Sequence, residues 1–95
     1  MDKMEEYREK LQAQLKEWKA KLDMLEEKAS RSTGETKEEM MSSIKDLREK
    51  KELVKEKYKV LQIEGGVALD KMKEGVDVAA SELKSALDKV ISRFK

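Results

Sequence analysis

The feature that most constrains the fold is a heptad pattern in the first third of the chain. Apolar residues alternate at intervals of three and four, with one charged member in the set: Met1, Met4, Arg8, Leu11, Leu15, Trp18, Leu22, Leu25 and Ala29. Because an α-helix has about 3.6 residues per turn, this spacing places the whole set on one face, as in the a/d seam of a coiled coil. The chain contains no Pro that would interrupt such a helix. The pattern predicts a long helix that packs against another helix, with Trp18 in the core.

Two glycine-containing segments divide the chain. The first is a polar loop around Gly34. Just after it, Thr36 and Glu39 have the spacing of a capping box, in which each side chain bonds the other's free backbone N–H, so we expect the second helix to begin at Thr36. The second segment is Gly65-Gly66, which suits a helix end because Gly adopts the left-handed backbone conformation at little energetic cost.

These boundaries predict one all-α domain that spans residues 1–95. The expected helices cover about 2–30, 36–63 and 67–94. Three rods of matched length joined by short loops favour an up-down-up antiparallel bundle with coiled-coil packing. A rival architecture stays open, namely a two-helix hairpin whose third helix packs only in a dimer.

The second helix continues the heptad spacing through Met40, Ile44, Leu47, Lys51, Val54, Tyr58 and Leu61. If it folds back on the first helix around the loop, Leu25 lies near Met40 or Met41. Arg8 and Lys51 are the charged residues within this seam. We expect their aliphatic stems to lie on apolar neighbours while the charged ends reach water.

The composition removes most catalytic and metal chemistry. The 95 residues include no Cys and no His, which excludes a cysteine nucleophile, a redox pair, a histidine-based acid–base scheme and the usual structural zinc sites. Adjacent carboxylates on a helix do not face each other, so pairs such as Glu5-Glu6 are poor acid–base or metal pairs. We therefore expect a protein that is not an enzyme, with no catalytic residues, no metal, no cofactor and no small-molecule substrate.

Charge and hydropathy indicate which partners and which cellular compartment to expect. The chain has 22 Lys and Arg against 21 Asp and Glu, a net charge of +1 that lacks the basic excess of a nucleic-acid binder. We therefore expect no nucleic-acid partner. No run of about 18 apolar residues is present, and Met1 is followed by charged residues. We expect neither a membrane span nor a secretory signal, and hence a cytoplasmic protein.

The third segment differs from the first in composition. Residues 65–95 carry 11 charges (six basic and five acidic), whereas residues 1–31 carry 16 (eight of each). Its apolar residues form a wide stripe, and Gly75 within the expected helix suggests close packing there. We therefore take this stripe as the candidate interaction face: Leu69, Met72, Val76, Ala80, Leu83, Leu87, Val90 and Phe94.

Short motifs near both ends of the chain resemble a known family. They are the Glu-Tyr pair at 6–7, the Leu-x-x-Trp of Leu15–Trp18, the Lys-x-Gly of Lys73–Gly75 and the Ser-Arg-Phe that ends at Phe94. The stretches that contain them, 1–21 and 66–94, resemble small bacterial coiled-coil proteins of the stress response. Leu69 and Ala80 depart from the pattern near positions where members often carry Trp. The resemblance implies a stress-linked, cytoplasmic helical protein and no particular mechanism.

Two functions remain open on the sequence. The first is a non-catalytic helical bundle that acts as a structural or protein-interaction module, through a protein partner or through self-association. The alternative is reversible association with a lipid or membrane surface, in which the bundle opens and the amphipathic third helix lies on the membrane. The small net charge of the third segment, six basic against five acidic residues, gives little electrostatic attraction to anionic lipid.

Overall fold

The structure is a computed structural model that describes the backbone of residues 3–64 and 69–94 and the side chains of residues 5–61 and 71–94. Its three helices are α1 (Lys3–Arg31), α2 (Gly34–Glu64) and α3 (Leu69–Arg93). The predicted ends at 30, 36, 63 and 94 lie within two residues of the observed ones, and the predicted starts at 2 and 67 fall outside the described residues. The predicted break at Gly65-Gly66 lies outside the described residues.

The turn between α1 and α2 depends on the backbone conformation of Gly34. At the end of α1, the Ser32 N–H donates to the Ala29 carbonyl at 3.1 Å and the Ser32 hydroxyl donates to the Lys28 carbonyl at 3.0 Å. Gly34 then has a φ of 65°, in the left-handed region that Gly tolerates best. Because α2 begins at Gly34, Thr36 lies inside the first turn, and the capping box predicted there does not mark the start of the helix.

Contacts between distant residues define the topology. Tyr7 near the start of α1 bonds Asp77 in the first half of α3, and Lys28 near the end of α1 donates to the carbonyl of Phe94, so these two helices run parallel. Arg93 at the end of α3 pairs with Glu39 near the start of α2 at 3.0 Å, so α2 and α3 run antiparallel. The up-down-up three-helix bundle is therefore confirmed. Since α3 packs against both other helices of its own chain, the rival two-helix hairpin is not the architecture found.

The bundle is a rod of about 51 × 20 × 19 Å, and its helices do not pack equally. The central helix, α2, lies against α1 and α3 along most of its length, whereas α1 and α3 approach each other closely at few points. The interface between α1 and α3 is therefore the thinnest of the three.

An apolar core runs along the bundle axis. Its buried members are Leu11, Trp18, Leu22, Leu25, Ala29, Met40, Ile44, Leu47, Val54, Tyr58, Leu61, Val76, Ala79, Ala80, Leu83 and Leu87. All members from α1 and α2 belong to the predicted heptad seams, and Trp18 is 3% exposed. The choice between Met40 and Met41 is resolved in favour of Met40, which is 1% exposed while Met41 is 47% exposed.

The two charged residues assigned to the seam differ in environment. Arg8 is exposed, and its expected seam position was wrong, because the neighbouring Tyr7 packs against the core instead. The Tyr7 ring lies 6.4 Å from that of Tyr58, measured between centroids. Lys51 does lie in the seam and is 8% exposed. Burial lowers the pKa of the Lys51 ammonium, and the positive charge of Lys55 lowers it further.

Candidate functional site

The interaction face predicted on the third helix faces the bundle core. The side chains of Val76, Ala80, Leu83 and Leu87 are buried, and those of Met72, Val90 and Phe94 are half-buried against the core. Leu69 is the first residue of α3, and its side chain lies outside the described set. In the closed bundle, this stripe contacts α1 and α2 of the same chain, so an external partner would have to reach a different surface or open the bundle.

A different set of apolar residues is exposed to solvent. Three of the large ones, Leu53, Val60 and Val78, lie around a shallow depression between α2 and α3. The depression consists of two adjoining hollows of about 420 and 400 Å³ that share Leu53, Lys57, Lys71 and Gly75. We call it the α2–α3 groove and define it by Leu53, Lys57, Val60, Gly75 and Val78.

One sequence feature indicates the α2–α3 groove but lies outside the heptad pattern. Leu53 and Val60 are seven residues apart and therefore share a face of α2, just outside the a/d seam. Val78 has the same relation to the seam of α3. In the sequence alone, such residues look like the isolated apolar residues that are common on protein surfaces. Only the position of the neighbouring helix shows that they line a groove.

The environment of Gly75 corrects the sequence-based interpretation of this residue. A Cβ placed on Gly75 meets no atom within 4 Å, so no close packing within the chain requires a glycine there. Gly in a helix interior nevertheless costs about 0.5–1 kcal/mol relative to Ala. The missing side chain instead leaves a notch in the floor of the α2–α3 groove.

Charges of both signs surround the α2–α3 groove. Lys57 and Lys71 supply positive charge, and Glu56, Glu74 and Glu82 supply negative charge. None of these five takes part in the ion pairs formed among the described side chains. The rim is therefore equipped to pair with a surface that itself carries both signs of charge.

A second depression lies between α1 and α3 and has a volume of about 380 Å³. Leu11, Trp18 and Ala80 line its apolar part, and Lys10 and Lys84 line it from α1 and α3 respectively. We call it the α1–α3 groove and define it by these five residues. It lies where α1 and α3 approach each other closely at few points, and Ala80 contributes a small side chain to its lining.

A cluster around Tyr7 lies at one end of the α1–α3 groove. The Tyr7 hydroxyl donates to Oδ1 of Asp77 at 2.9 Å and lies 3.4 Å from the carbonyl oxygen of Lys73. The ammonium of Lys73 lies 4.7 Å from the centroid of the Tyr7 ring, within the range of a cation–π contact. Burial raises the pKa of the Tyr7 phenol above its usual range, and the hydrogen bond to Asp77 raises it further.

A third depression, of about 510 Å³, follows the outer side of α2, with Met41, Ile44 and Leu53 among its lining residues. Arg48 lies in it and pairs with Glu26 and, at 3.6 Å, with Asp23 of α1. The hydrogen bond from Lys19 lowers the pKa of Asp23, and the pairing with Arg48 lowers it further. These exposed ion pairs connect α1 to α2 and contribute little stability individually.

The described part of the chain offers no arrangement typical of a metal centre, since no group of three or more Asp and Glu side chains there could hold an ion. Among the same residues, no helix has both the length and the apolar character required to cross a bilayer. When the chain is compared with known protein families, with curated proteins and with solved structures, nothing matches it.

Proposed function

We propose that the protein is a non-catalytic helical module that acts by protein–protein contact through the α2–α3 groove. The observation that carries this proposal is the exposure of Leu53, Val60 and Val78 around the notch at Gly75. Clustered apolar residues with a charged rim are typical of protein interaction surfaces. A helix-interior glycine without a packing role in its own chain fits a surface that another helix approaches closely.

The partner that this surface fits best is a second copy of the same chain. In a two-fold symmetric contact, each residue meets a surface identical to its own, so a rim with both signs of charge can be complementary to itself. With the axis near Gly75, Lys57 and Lys71 of one copy can face Glu74 and Glu82 of the other. The net charge of +1 creates almost no repulsion between the copies.

Sedimentation equilibrium tests this proposal on the intact chain. An exposed patch of so few apolar residues favours weak association, with a Kd on the order of 100 μM. Over a series from about 10 μM to 1 mM, we expect the average mass to rise from that of a monomer toward that of a dimer. A strict monomer at the highest concentration would contradict the proposal.

The proposal also covers the conditions and the compartment in which the module acts. The resemblance to bacterial coiled-coil stress proteins supports a stress-linked and cytoplasmic role for such a module. Quantifying the protein in its own cells before and after heat, osmotic and envelope stress tests this part. An unchanged level under every stress would remove the stress link and leave the contact surface untouched.

A second candidate function is reversible lipid binding by α3, and the thin α1–α3 interface favours it. Separation of α1 from α3 would expose Val76 and Leu87, which an amphipathic helix could place on a membrane. Flotation with neutral and with anionic vesicles tests this candidate. Tyr7→Phe, which weakens the contact between α1 and α3, should increase the bound fraction. Absence of the protein from both kinds of vesicle, for wild type and variant alike, would exclude lipid binding.

A further inference from the structure

The α1–α3 groove combines unpaired positive charge with a few apolar lining residues. Lys10 and Lys84 line it from α1 and α3, and neither takes part in the ion pairs of the described residues. Leu11, Trp18 and Ala80 supply the apolar part. We propose that this groove binds a small organic anion, in which a carboxylate or sulfonate is joined to a compact apolar body.

The charge balance favours an anion over a neutral or cationic ligand. Lys10, Lys73 and Lys84 line the groove, whereas Asp77 supplies the opposing charge. Asp77 accepts the hydrogen bond from Tyr7, and Lys73 lies over the Tyr7 ring. The lysines therefore outnumber the carboxylate. Lys10 and Lys84, which are on different helices, remain available to contact the ligand anion together.

The apolar body is indicated by the size and lining of the groove. Its volume of about 380 Å³ lies within the range of small-molecule sites, which in helical bundles lie between helices. Gln14 and Ser81 add an amide and a hydroxyl that can orient the polar end of the ligand. Leu11 and Trp18 are each 3% exposed, so the apolar body would contact only their exposed edges, and the lysines would supply most of the affinity.

A comparable depression at the other end of α1 shows why Lys10 and Lys84 matter. That depression, of about 350 Å³, has apolar lining residues and the cations Lys21 and Lys28. Lys21, however, pairs with a carboxylate of its own helix at 3.2 Å, and Lys28 donates to the carbonyl of Phe94. Its cations are thus already engaged, whereas Lys10 and Lys84 are not.

Trp18 makes the proposal directly measurable because it is the single Trp of the chain and lines the groove. The probe is 1-anilinonaphthalene-8-sulfonate, titrated into the intact protein at low micromolar concentration. We expect one probe per chain, with energy transfer from Trp18 to the bound probe. The neutral analogue N-phenyl-1-naphthylamine, which lacks the sulfonate, should bind at least about tenfold more weakly relative to its own partitioning into detergent micelles.

Two double variants separate the groove from general charge effects. Lys10→Gln with Lys84→Gln removes the two groove cations, and Lys16→Gln with Lys89→Gln removes two exposed cations from the same helices. Both variants have the same net charge, and circular dichroism with urea unfolding verifies that both are folded. We expect the first to weaken probe binding about tenfold or more and the second to leave it within about twofold.

Three outcomes would overturn the proposal. The wild-type chain could fail to bind the probe, both double variants could lose binding equally, or the neutral analogue could bind as well as the sulfonate. The groove lies on the side of α3 that faces α1, away from Gly75 and Val78. Failure of anion binding would therefore leave the proposed self-association standing, and failure of self-association would leave the anion site standing.

Discussion

The Tyr7 hydroxyl donates a hydrogen bond of 2.9 Å to Asp77, a residue 70 positions further along the chain. It joins α1 to α3 across the interface at which these helices have the fewest close approaches. The contact also brings the Tyr7 ring against Tyr58 of α2 and beneath the ammonium of Lys73. All three helices therefore meet at Tyr7, a residue that the heptad pattern had left outside the seam.

We expect Tyr7→Phe to lower the free energy of unfolding by about 0.5–1.5 kcal/mol, because the ring stays and only the hydrogen bond is lost. Urea unfolding monitored by circular dichroism measures the change. Asp88→Asn, at an exposed position of α3, serves as a control and should change the free energy of unfolding by less than about 0.5 kcal/mol. Equal stability of Tyr7→Phe and wild type would show that the hydrogen bond has no energetic role.

The raised pKa of Tyr7 predicts the pH dependence of that difference. The folded state holds the phenol proton more tightly than the unfolded state does. The contribution of Tyr7 is therefore fully present below the ordinary pKa of Tyr, which is 10.0, and is lost as the pH rises above it. We expect the stability advantage of wild type over Tyr7→Phe to shrink above pH 10, and a constant difference would contradict the assignment.

We expect Gly75→Ala to raise the free energy of unfolding by about 0.5–1 kcal/mol, because Ala has less conformational entropy to lose and its Cβ meets no atom within 4 Å. The measurement is urea unfolding at a protein concentration low enough to keep the chain monomeric. Gly34→Ala is the matched control with the opposite sign. It should lose about 1 kcal/mol, because the φ of 65° at Gly34 strains any residue with a Cβ. Destabilisation by Gly75→Ala would show that the space at the notch is already used.

We expect Lys51→Met to raise the free energy of unfolding at neutral pH by about 1 kcal/mol. The substitution removes an ammonium group whose charged form is disfavoured by burial. The folded-state pKa lies below the ordinary value of 10.5, so the unfolded chain binds more protons between the two values. Wild-type stability should therefore rise relative to the variant as the pH approaches 10.5. The control Lys50→Met, at an exposed position, should change the free energy of unfolding by less than about 0.5 kcal/mol. A loss of stability in Lys51→Met would contradict this interpretation.

We expect Trp18→Ala to lower the free energy of unfolding by about 3–5 kcal/mol, because the ring is 3% exposed and its removal leaves a cavity in the core. Circular dichroism is the appropriate signal, since the variant has no Trp. Met24→Ala on the same helix is the control, because Met24 is 70% exposed and should change the free energy of unfolding by less than about 0.5 kcal/mol. A loss below about 1 kcal/mol for Trp18→Ala would show that the indole is not a core residue.

The sequence predicted the architecture well because a seam depends on spacing alone. Leu22 and Leu47 occupy a/d positions of a regular pattern, and any partner helix would bury them. The sequence pattern did not predict that Tyr7, rather than Arg8, packs against the core. A straight helix drifts relative to a strict seven-residue repeat, so the residue that faces the core shifts along the helix. Near the start of α1 the residue facing the core is Tyr7, whose large ring packs there better than a charged side chain would.

The candidate sites were harder to predict because each depends on how two helices lie beside each other. The stripe on α3 was recognised, but spacing alone does not distinguish a face that completes the bundle from one that binds a partner. Exposed apolar residues such as Val78 are recognised as part of a groove only when the structure places them beside Leu53 of the neighbouring helix. Likewise, Lys10 and Lys84 are ordinary surface charges in the sequence, and the packing of α1 beside α3 places both along one groove.

The most direct test of the proposed function compares Val78→Glu with Met24→Glu in sedimentation equilibrium. Both substitutions replace an exposed apolar residue with a charge, but only Val78 lies in the α2–α3 groove, at 52% exposure. We expect Val78→Glu to weaken dimerisation at least about tenfold, because like charges would meet across the two-fold axis, while Met24→Glu dimerises as wild type does. Equal dimerisation of both variants and wild type would contradict the claim that the chain self-associates through this groove.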